Sequence, residues 1–305
     1  MNLKFEIAYQ LYIDYVSLKQ KPTSVIDLKR KFDNLIVPYF KNKKIKKITN
    51  YDYLDWQNQI EKKGFTYGYK RNLHYCMTAF YDFLILYNNV KKNIPRIVGN
   101  FKNNDIKKNY IKTWSVEEFK RFINVIDDPI YKTLFLFLFT TGCRKSEALA
   151  LNFNDINNNI VSINKSISKD LINGERLILS PKTKKSIRNI LIDDKLNDQI
   201  KNLQEYYSIK YNNFNKNFFV FGGNKPIACT TLDRKMKTYC LKSNVKKIRV
   251  HDLRHSHATL LFENNISIAT ISKRLGHCSI KTTLDVYVHA EEQEKKAVDL
   301  LNSLI

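Results

Sequence analysis

Apolar residues recur at helical spacing through most of the first hundred positions. Phe5 to Leu18 carries its apolar and aromatic residues on an amphipathic period, which predicts a helix. Thr23 and Ser24 read as cap residues before a second helix, Val25 to Leu35, which Pro38 and the turn after it end. Asn50 reads as the cap of a helix from Tyr51 to Lys62. Gly64 then breaks the chain ahead of a long apolar-periodic stretch, Tyr67 to Leu86. Farther on, Ser115 followed by Glu117 and Glu118 has the form of a helix start. The run Leu134 to Phe139 (LFLFLF) is apolar all round, as a buried helix is. After Glu147 the pattern changes. Ile160 to Ile163, Arg176 to Leu179 and Ile187 to Ile192 have strand composition, the last two flanking a polar turn. Helical patterning returns near Asp194 and dominates after Thr230. No internal repeat is visible.

This order predicts a multidomain protein. An all-α domain occupies residues 1–100, and a mixed α/β domain, mainly α with a small antiparallel sheet, occupies 113–290. Between them Lys91 to Tyr110 is rich in Asn and Lys, contains Pro95 and lacks periodicity, so 101–112 is read as a linker. The tail 291–305 places Ala297, Val298, Leu300, Leu301, Leu304 and Ile305 so that a short amphipathic helix can form.

Charge changes the picture most. The 305 residues include 52 Lys and Arg against 29 Asp and Glu, a net charge of +23. Such an excess repels itself in a folded chain and calls for a polyanionic partner, nucleic acid ahead of an anionic membrane surface. The run Lys41, Lys43, Lys44, Lys46 and Lys47 is either a solvated turn or a phosphate contact, and the overall charge favours contact. A membrane span is excluded because LFLFLF is far too short and runs into Thr140, Thr141 and Gly142. The N-terminus has no secretory signal pattern. The five cysteines lie singly, without a CxxC pair, which fits a reducing cytoplasm and neither a disulfide framework nor a structural zinc.

Four segments of the second domain carry candidate chemistry: TGCRKSEALAL around Arg144 and Glu147, PKTKKSIR around Lys182, HDLRHSHATLL with His251 and Arg254, and LGHCSIKTTLDVYVH with His277 and Tyr287. A phosphodiester is a negatively charged and reluctant electrophile, and attack on it adds charge. Guanidinium groups, permanently charged and bidentate, suit its non-bridging oxygens. His251 lies three residues before Arg254, so on a helix both project from one face. In these residues, in their order and spacing, the sequence resembles the tyrosine recombinase (phage integrase) family over essentially all of 113–290. The first domain, with PYFKNKKIKKIT and NIPRIV, resembles that family's core-binding domain more weakly.

The resemblance implies a site-specific DNA recombinase, an integrase or excisionase that joins strands through a covalent 3′-phosphotyrosine. Tyr287 is the implied nucleophile and Arg144 and Arg254 the implied phosphate ligands. Lys182 is the implied general acid, with Lys184 and Lys185 of the same turn left as alternatives or as DNA contacts. His251 moves a proton or bonds the phosphate, His277 bonds the phosphate, and Glu147 supports the site. It implies no cofactor and no metal, because the arginines bring the charge a metal would bring elsewhere. Its partners are double-stranded DNA with defined core sites and three further copies in a tetramer on DNA. Without DNA a monomer is expected. Accessory DNA-bending proteins are compatible with it, and the setting is the bacterial cytoplasm, at the nucleoid. The tail 291–305 is the expected subunit-exchange helix. The motif details are most like integrases of phages and conjugative transposons. The architecture, which starts at the core-binding region with no preceding arm-binding domain, is more like chromosome- or plasmid-dimer-resolving recombinases.

Each residue also has an ordinary reading. Arg144 could end a helix, Tyr287 is one of 18 tyrosines, and Glu147 could pair with a neighbouring helix. His251 and His255 have the spacing of an HExxH zinc site, but Asp252 stands where that motif needs Glu. His255, His257, Cys143 and Cys278 are expected to pack rather than react. A catalytically silent DNA-binding relative and a type IB topoisomerase remain the rival functions.

Overall fold

Periodic placement of apolar residues gives this chain a main core in each of two compact units, Met1–Asn109 and Tyr110–Ile305, and a smaller cluster of Ala258, Ile271 and Leu275 in the second. The computed structural model describes residues 3–103, 112–172, 174–181 and 186–276. Lys182, Lys184, Lys185, His277, Tyr287 and the tail 291–305 therefore lie outside the described residues, as does most of the stretch read as a linker.

The described part of the first unit is helical. Helix α1 (Phe5–Ser17) buries Phe5, Ala8, Tyr9, Tyr12, Ile13 and Val16, the single stripe its spacing requires. Helix α2 (Pro22–Lys31) starts one residue before the expected cap. Lys21 holds the cap position, and Pro22 takes the first turn, where its missing N–H removes no bond. Pro38 does not end this segment. A π-helical turn, Phe32–Ile36, carries the chain into α3 (Val37–Phe40), where Pro38 lies in the first turn and again interrupts nothing.

Helix α4 (Asn50–Glu61) is capped by Thr49 rather than Asn50. The Thr49 hydroxyl accepts from the Asp52 amide, and the Asp52 carboxylate accepts from the Thr49 amide at 2.8 Å, a reciprocal box. Helix α5 (Tyr67–Asn88) and the short α6 (Ile94–Val98) complete the unit. Its core is aromatic. Phe5 packs on Phe40 and Phe80 at 5.2 and 5.0 Å between ring centroids, and each such buried ring contributes about 1.5–3 kcal/mol. Phe101, at the head of the stretch read as linker, packs against Trp56 and belongs to this core.

In the second unit Ser115 caps α7 (Val116–Asn124) through a box with Glu118, as its sequence announces. Asp128 caps α8 (Pro129–Thr141), which holds the LFLFLF run and buries most of it. Phe119 of α7 stacks on Phe139 of α8 at 3.8 Å, which locks the two helices together. After α9 (Lys145–Ala148) the described residues form five strands: β1 (Ile156–Asn157), β2 (Ile160–Ile163), β3 (Ser166–Ile172), β4 (Glu175–Leu179) and β5 (Arg188–Leu191). They form two antiparallel sheets, β1-β2-β5 and β3-β4. Strands β4 and β5, which precede and follow the lysine-rich segment in sequence, belong to different sheets. Helices α10 (Asp194–Lys210), α11 (Cys229–Lys242), α12 (Asp252–Glu263) and α13 (Ile268–Leu275) follow. Trp114 ties the entrance of the unit to its far end, its amide donating to Ser256 Oγ of α12 and its indole N–H to the Lys246 carbonyl. No helix of the described residues is long and apolar enough to cross a membrane.

Candidate active site

The ends of four helices and one strand converge in the second unit. Helix α8 stops at Gly142, which adopts the left-handed conformation (φ +66°). A Cβ at this position would lie 2.6 Å from His257 Cδ2 and 2.7 Å from Leu275 Cδ2, so glycine alone lets the chain turn with α12 and α13 packed against it. The turn delivers Cys143 into the core and Arg144 to the start of α9. Arg144 is therefore a helix-start residue, contrary to its ordinary reading as the end of one. Its amide donates to Glu147 Oε2 (3.0 Å) and its Nη1 to Glu147 Oε1 (2.7 Å).

Glu147 is buried and also accepts from Arg188 Nη2 of β5, at 2.8 Å. Burial alone would raise its pKa, but the hydrogen bond and charge of Arg188 and the charge of Arg144 outweigh it and hold the carboxylate below its usual range. Arg254, in the first turn of α12, is only 3% exposed. It donates from Nη1 to the Gly142 carbonyl (2.8 Å) and from Nη2 to the Leu275 carbonyl (2.7 Å). Burial, and then the adjacent Arg144, push its pKa down to about 9, so it stays charged at neutral pH.

The C-terminus of α13 is where these groups meet. A helix leaves its last carbonyls without partners inside the helix. Here three consecutive carbonyls accept from three arginines: Arg274 from Arg188 Nε (2.7 Å), Leu275 from Arg254 Nη2 (2.7 Å), and Gly276 from Arg144 Nη2 at 3.5 Å, the weakest contact. The negative end of the helix dipole favours such cations. Arg274 itself donates to the carbonyls of Leu191 and Thr140. Four guanidinium groups thus surround this point, and among the described residues only Glu147 pairs with any of them as a carboxylate. The surplus of positive charge suits the place to an anion, and Arg144, its side chain 35% exposed, is open to solvent there.

His251 stands at the N-cap of α12 with helical dihedrals. The expected three-residue relation to Arg254 holds, the Arg254 amide donating to the His251 carbonyl (3.2 Å). Its ring meets His255 edge-on at 5.3 Å between centroids. Partial burial, His255 and the charge of Arg254 lower its pKa, leaving a neutral imidazole at pH 7 that can accept a proton. Asp252 is held by Arg249 through its amide (2.8 Å) and Nη2 (2.7 Å). Among the described residues no group of three His, Cys, Asp or Glu is placed to hold a metal ion. Burial raises the pKa of Cys143, so its thiol is no nucleophile.

The charge run of the first unit is a turn pinned by buried Ile45 and Ile48, with Lys41, Lys44, Lys46 and Lys47 exposed. Lys43 is engaged within the fold, bonded to Asp52 at 2.7 Å and lying over the Tyr39 ring. The residue that sequence reasoning passed over is Arg188. It sits in the quoted PKTKKSIR segment, where a fourth basic residue draws no notice. The available signal is periodicity: β5 alternates buried and exposed, and Arg188 occupies an inward position with Ile190.

The model of the phage integrase family matches residues 112–294, and that of the phage integrase N-terminal SAM-like domain matches residues 4–60. The ICEBs1 integrase of Bacillus subtilis (strain 168) is 30% identical over 315 residues, spanning 100% of this chain and 84% of that protein. A tyrosine recombinase XerC-like protein of Caldanaerobacter subterraneus subsp. tengcongensis is 26% identical, over 98% of this chain and 82% of its own. Among solved structures, the Tn1549 transposon integrase in complex with transposon right end DNA superposes with a TM-score of 0.75 at 18% identity, over 95% of this chain and 97% of that one. A lambda integrase dimer bound to a COC′ core site gives 0.69 at 13% identity, over 93% and 77%. The solved structures establish the shared fold, two helical and mixed units with small antiparallel sheets. The family model covers more than half of the chain and a relative matches it end to end, so the chain belongs to the phage integrase family, the tyrosine recombinases.

Proposed function

We propose that this protein is a site-specific DNA recombinase of the integrase type, which cuts and rejoins strands through a covalent 3′-phosphotyrosine. The observation that carries the reading is the anion site, where Arg144 and Arg254 stand together with too little carboxylate to balance them. A scissile phosphate supplies the missing negative charge and gains most as its oxygens become more negative during attack.

In the proposed reaction the Tyr287 phenol oxygen attacks phosphorus and the bond to the 5′ oxygen breaks. The phenol proton passes to a neutral imidazole, for which His251 is suited. The departing 5′ oxygen takes a proton from Lys182, and His277 donates to a non-bridging oxygen. Glu147 holds Arg144 in place. Religation reverses these steps with a new 5′-hydroxyl, and the phosphotyrosine conserves the bond energy, so no nucleotide cofactor takes part. Residues 1–100 act as the core-binding domain on duplex DNA, with 101–112 as linker, 113–290 as the catalytic domain, and the lysines 41, 43, 44, 46 and 47 near phosphates. Four copies act on two duplexes, as in the lambda integrase tetramer bound to a Holliday junction. The tail 291–305 docks on a neighbouring copy, and deleting 292–305 abolishes synapsis if so.

The test is a nicked suicide duplex from the ends of the native element, followed by a search for an SDS-resistant protein–DNA adduct. An adduct that disappears in Tyr287→Phe establishes both the covalent step and the nucleophile. Binding to the true site with no adduct under any condition would make the protein a silent DNA-binding relative. Relaxation of site-free supercoiled plasmid without recombinant product would make it a topoisomerase.

A further inference from the structure

Arg188 is the buried cation for which the proposed reaction has no use. Its side chain is 6% exposed, too deep to meet a DNA phosphate, and its nitrogens are all occupied. Nε donates to the Arg274 carbonyl (2.7 Å), Nη1 to the Ser186 carbonyl (3.1 Å) and Nη2 to Glu147 Oε2 (2.8 Å), with Cys143 Sγ at 3.7 Å from the same nitrogen. These partners belong to three separate segments, each next to a residue of the proposed reaction. Arg274 lies in the last turn of α13, three positions before His277 in sequence, Ser186 follows the segment that contains Lys182, and Glu147 holds Arg144. Gly276 leaves room for this arrangement, since a Cβ there would lie 3.1 Å from both Cδ and Nη1 of Arg188.

We propose that Arg188 is a positioning residue for strand transfer: one buried guanidinium fixes Glu147, the end of the lysine segment and the C-terminus of α13 relative to one another, so that Arg144 and Arg254 grip the phosphate together. Only a planar group with donors in a fixed fork serves three acceptors in different directions, and a lysine ammonium at the same place reaches one or two of them. Without Arg188, Glu147 keeps Arg144 as its one ion-pair partner among the described residues, and the Arg274 carbonyl loses its donor. Arg144 then samples positions in which it no longer faces the phosphate beside Arg254. The inference rests on the proposed recombinase reading.

The experiment measures single-turnover adduct formation on the nicked duplex at saturating protein, for the unchanged protein, Arg188→Lys and Arg188→Met, alongside the protein concentration that half-saturates the DNA. A parallel duplex carries a neutral methylphosphonate at the scissile position, which no longer needs two guanidiniums to balance its charge. On the phosphate duplex Arg188→Lys is expected to slow by about 10-fold and Arg188→Met by about 100-fold, with half-saturation changed less than about twofold. On the methylphosphonate duplex both losses shrink to within about threefold. Should Arg188→Met fail to fold, Arg188→Lys, which keeps a cation against Glu147, carries the test, with its thermal unfolding as the control. An undiminished rate in folded Arg188→Lys overturns the inference. Equal losses on both substrates overturn it too, since they show a role in the fold alone. No adduct with the unchanged protein on its true site takes down the recombinase reading, and this inference with it.

Discussion

Replacing Gly142 by alanine exchanges a hydrogen for a methyl group at the most crowded turn of the site. Two costs are involved, and the structure separates them. The first is conformational: at φ +66° an L-residue with a Cβ costs about 1–2 kcal/mol relative to its preferred regions. The second is steric. The new methyl would sit 2.6 Å from a ring carbon of His257 and 2.7 Å from a methyl of Leu275, about 1 Å inside normal carbon–carbon contact. Both neighbours are buried, at 4% and 1% exposure, so neither can swing into solvent, and overpacking of this kind costs about 1–3 kcal/mol. Gly174 in the turn between β3 and β4 supplies the control, since its φ is +81° and a Cβ there would meet nothing within 4 Å. Gly142→Ala is therefore expected to lose about 2–5 kcal/mol and Gly174→Ala about 1–2 kcal/mol. Urea denaturation followed by near-UV circular dichroism measures both. Because the Gly142 carbonyl accepts from Arg254, adduct formation should fall in the first variant and not in the second. Equal stability losses in the two would refute the steric argument and leave φ as the only cause.

Other outcomes follow from the same structure. Glu147→Ala leaves Arg188 buried without its carboxylate and should cost about 3–5 kcal/mol in chemical denaturation, far more than removing a surface partner such as Asp198. His257, almost fully buried, faces the Phe139 carbonyl with Nδ1–H, while its Nε2 has no partner among the described residues. Burial, then the charge of Arg274, pushes its pKa down to about 4 from a usual value near 6.5. The unfolded chain therefore binds the extra proton first. The contribution of His257 is complete above about pH 6.5 and is lost as pH falls toward 4, at most about 3 kcal/mol, and a His257→Phe chain should show a flatter loss of melting temperature across that window. In the first unit, Lys44→Ala and Lys47→Ala should each reduce the salt slope of DNA binding by about 1. Lys43→Ala should change it less, because Asp52 already neutralises that ammonium.

How much of this could be read from the sequence depended on how local the cause was. Strand β2 matches its expected bounds because alternation over four residues identifies it, and Ser115 announces α7 because its box closes within three residues. Asn50 is as good a cap by type as Thr49, and only the reach of Asp52 back to residue 49 decides between them. Strand β3 escaped notice because Ser168, Lys169 and Asp170 interrupt its apolar residues, and its identity comes from pairing with β4. The candidate residues were legible as types and spacings, since Arg144, Glu147, His251 and Arg254 lie in short, distinctive segments. What holds them was not. Arg188 reaches Glu147 across 41 positions and the Arg274 carbonyl across 86, and separations of that kind leave no local trace beyond an inward-facing charge in a strand.

The grip of three arginines on the end of α13 has a consequence for the making of the protein. The bonds to Gly276 from Arg144, to Arg274 from Arg188, and from Arg254 to Gly142 span 132, 86 and 112 positions. None of the bonds to α13 can form while the ribosome still holds residues 268–276, whereas the first unit has its core complete by Phe101. A growing chain thus carries the core of the first unit long before the arginines of the second can gather at the end of α13. On the proposed reading, a fragment released before residue 276 would have the means to occupy DNA and none to break it.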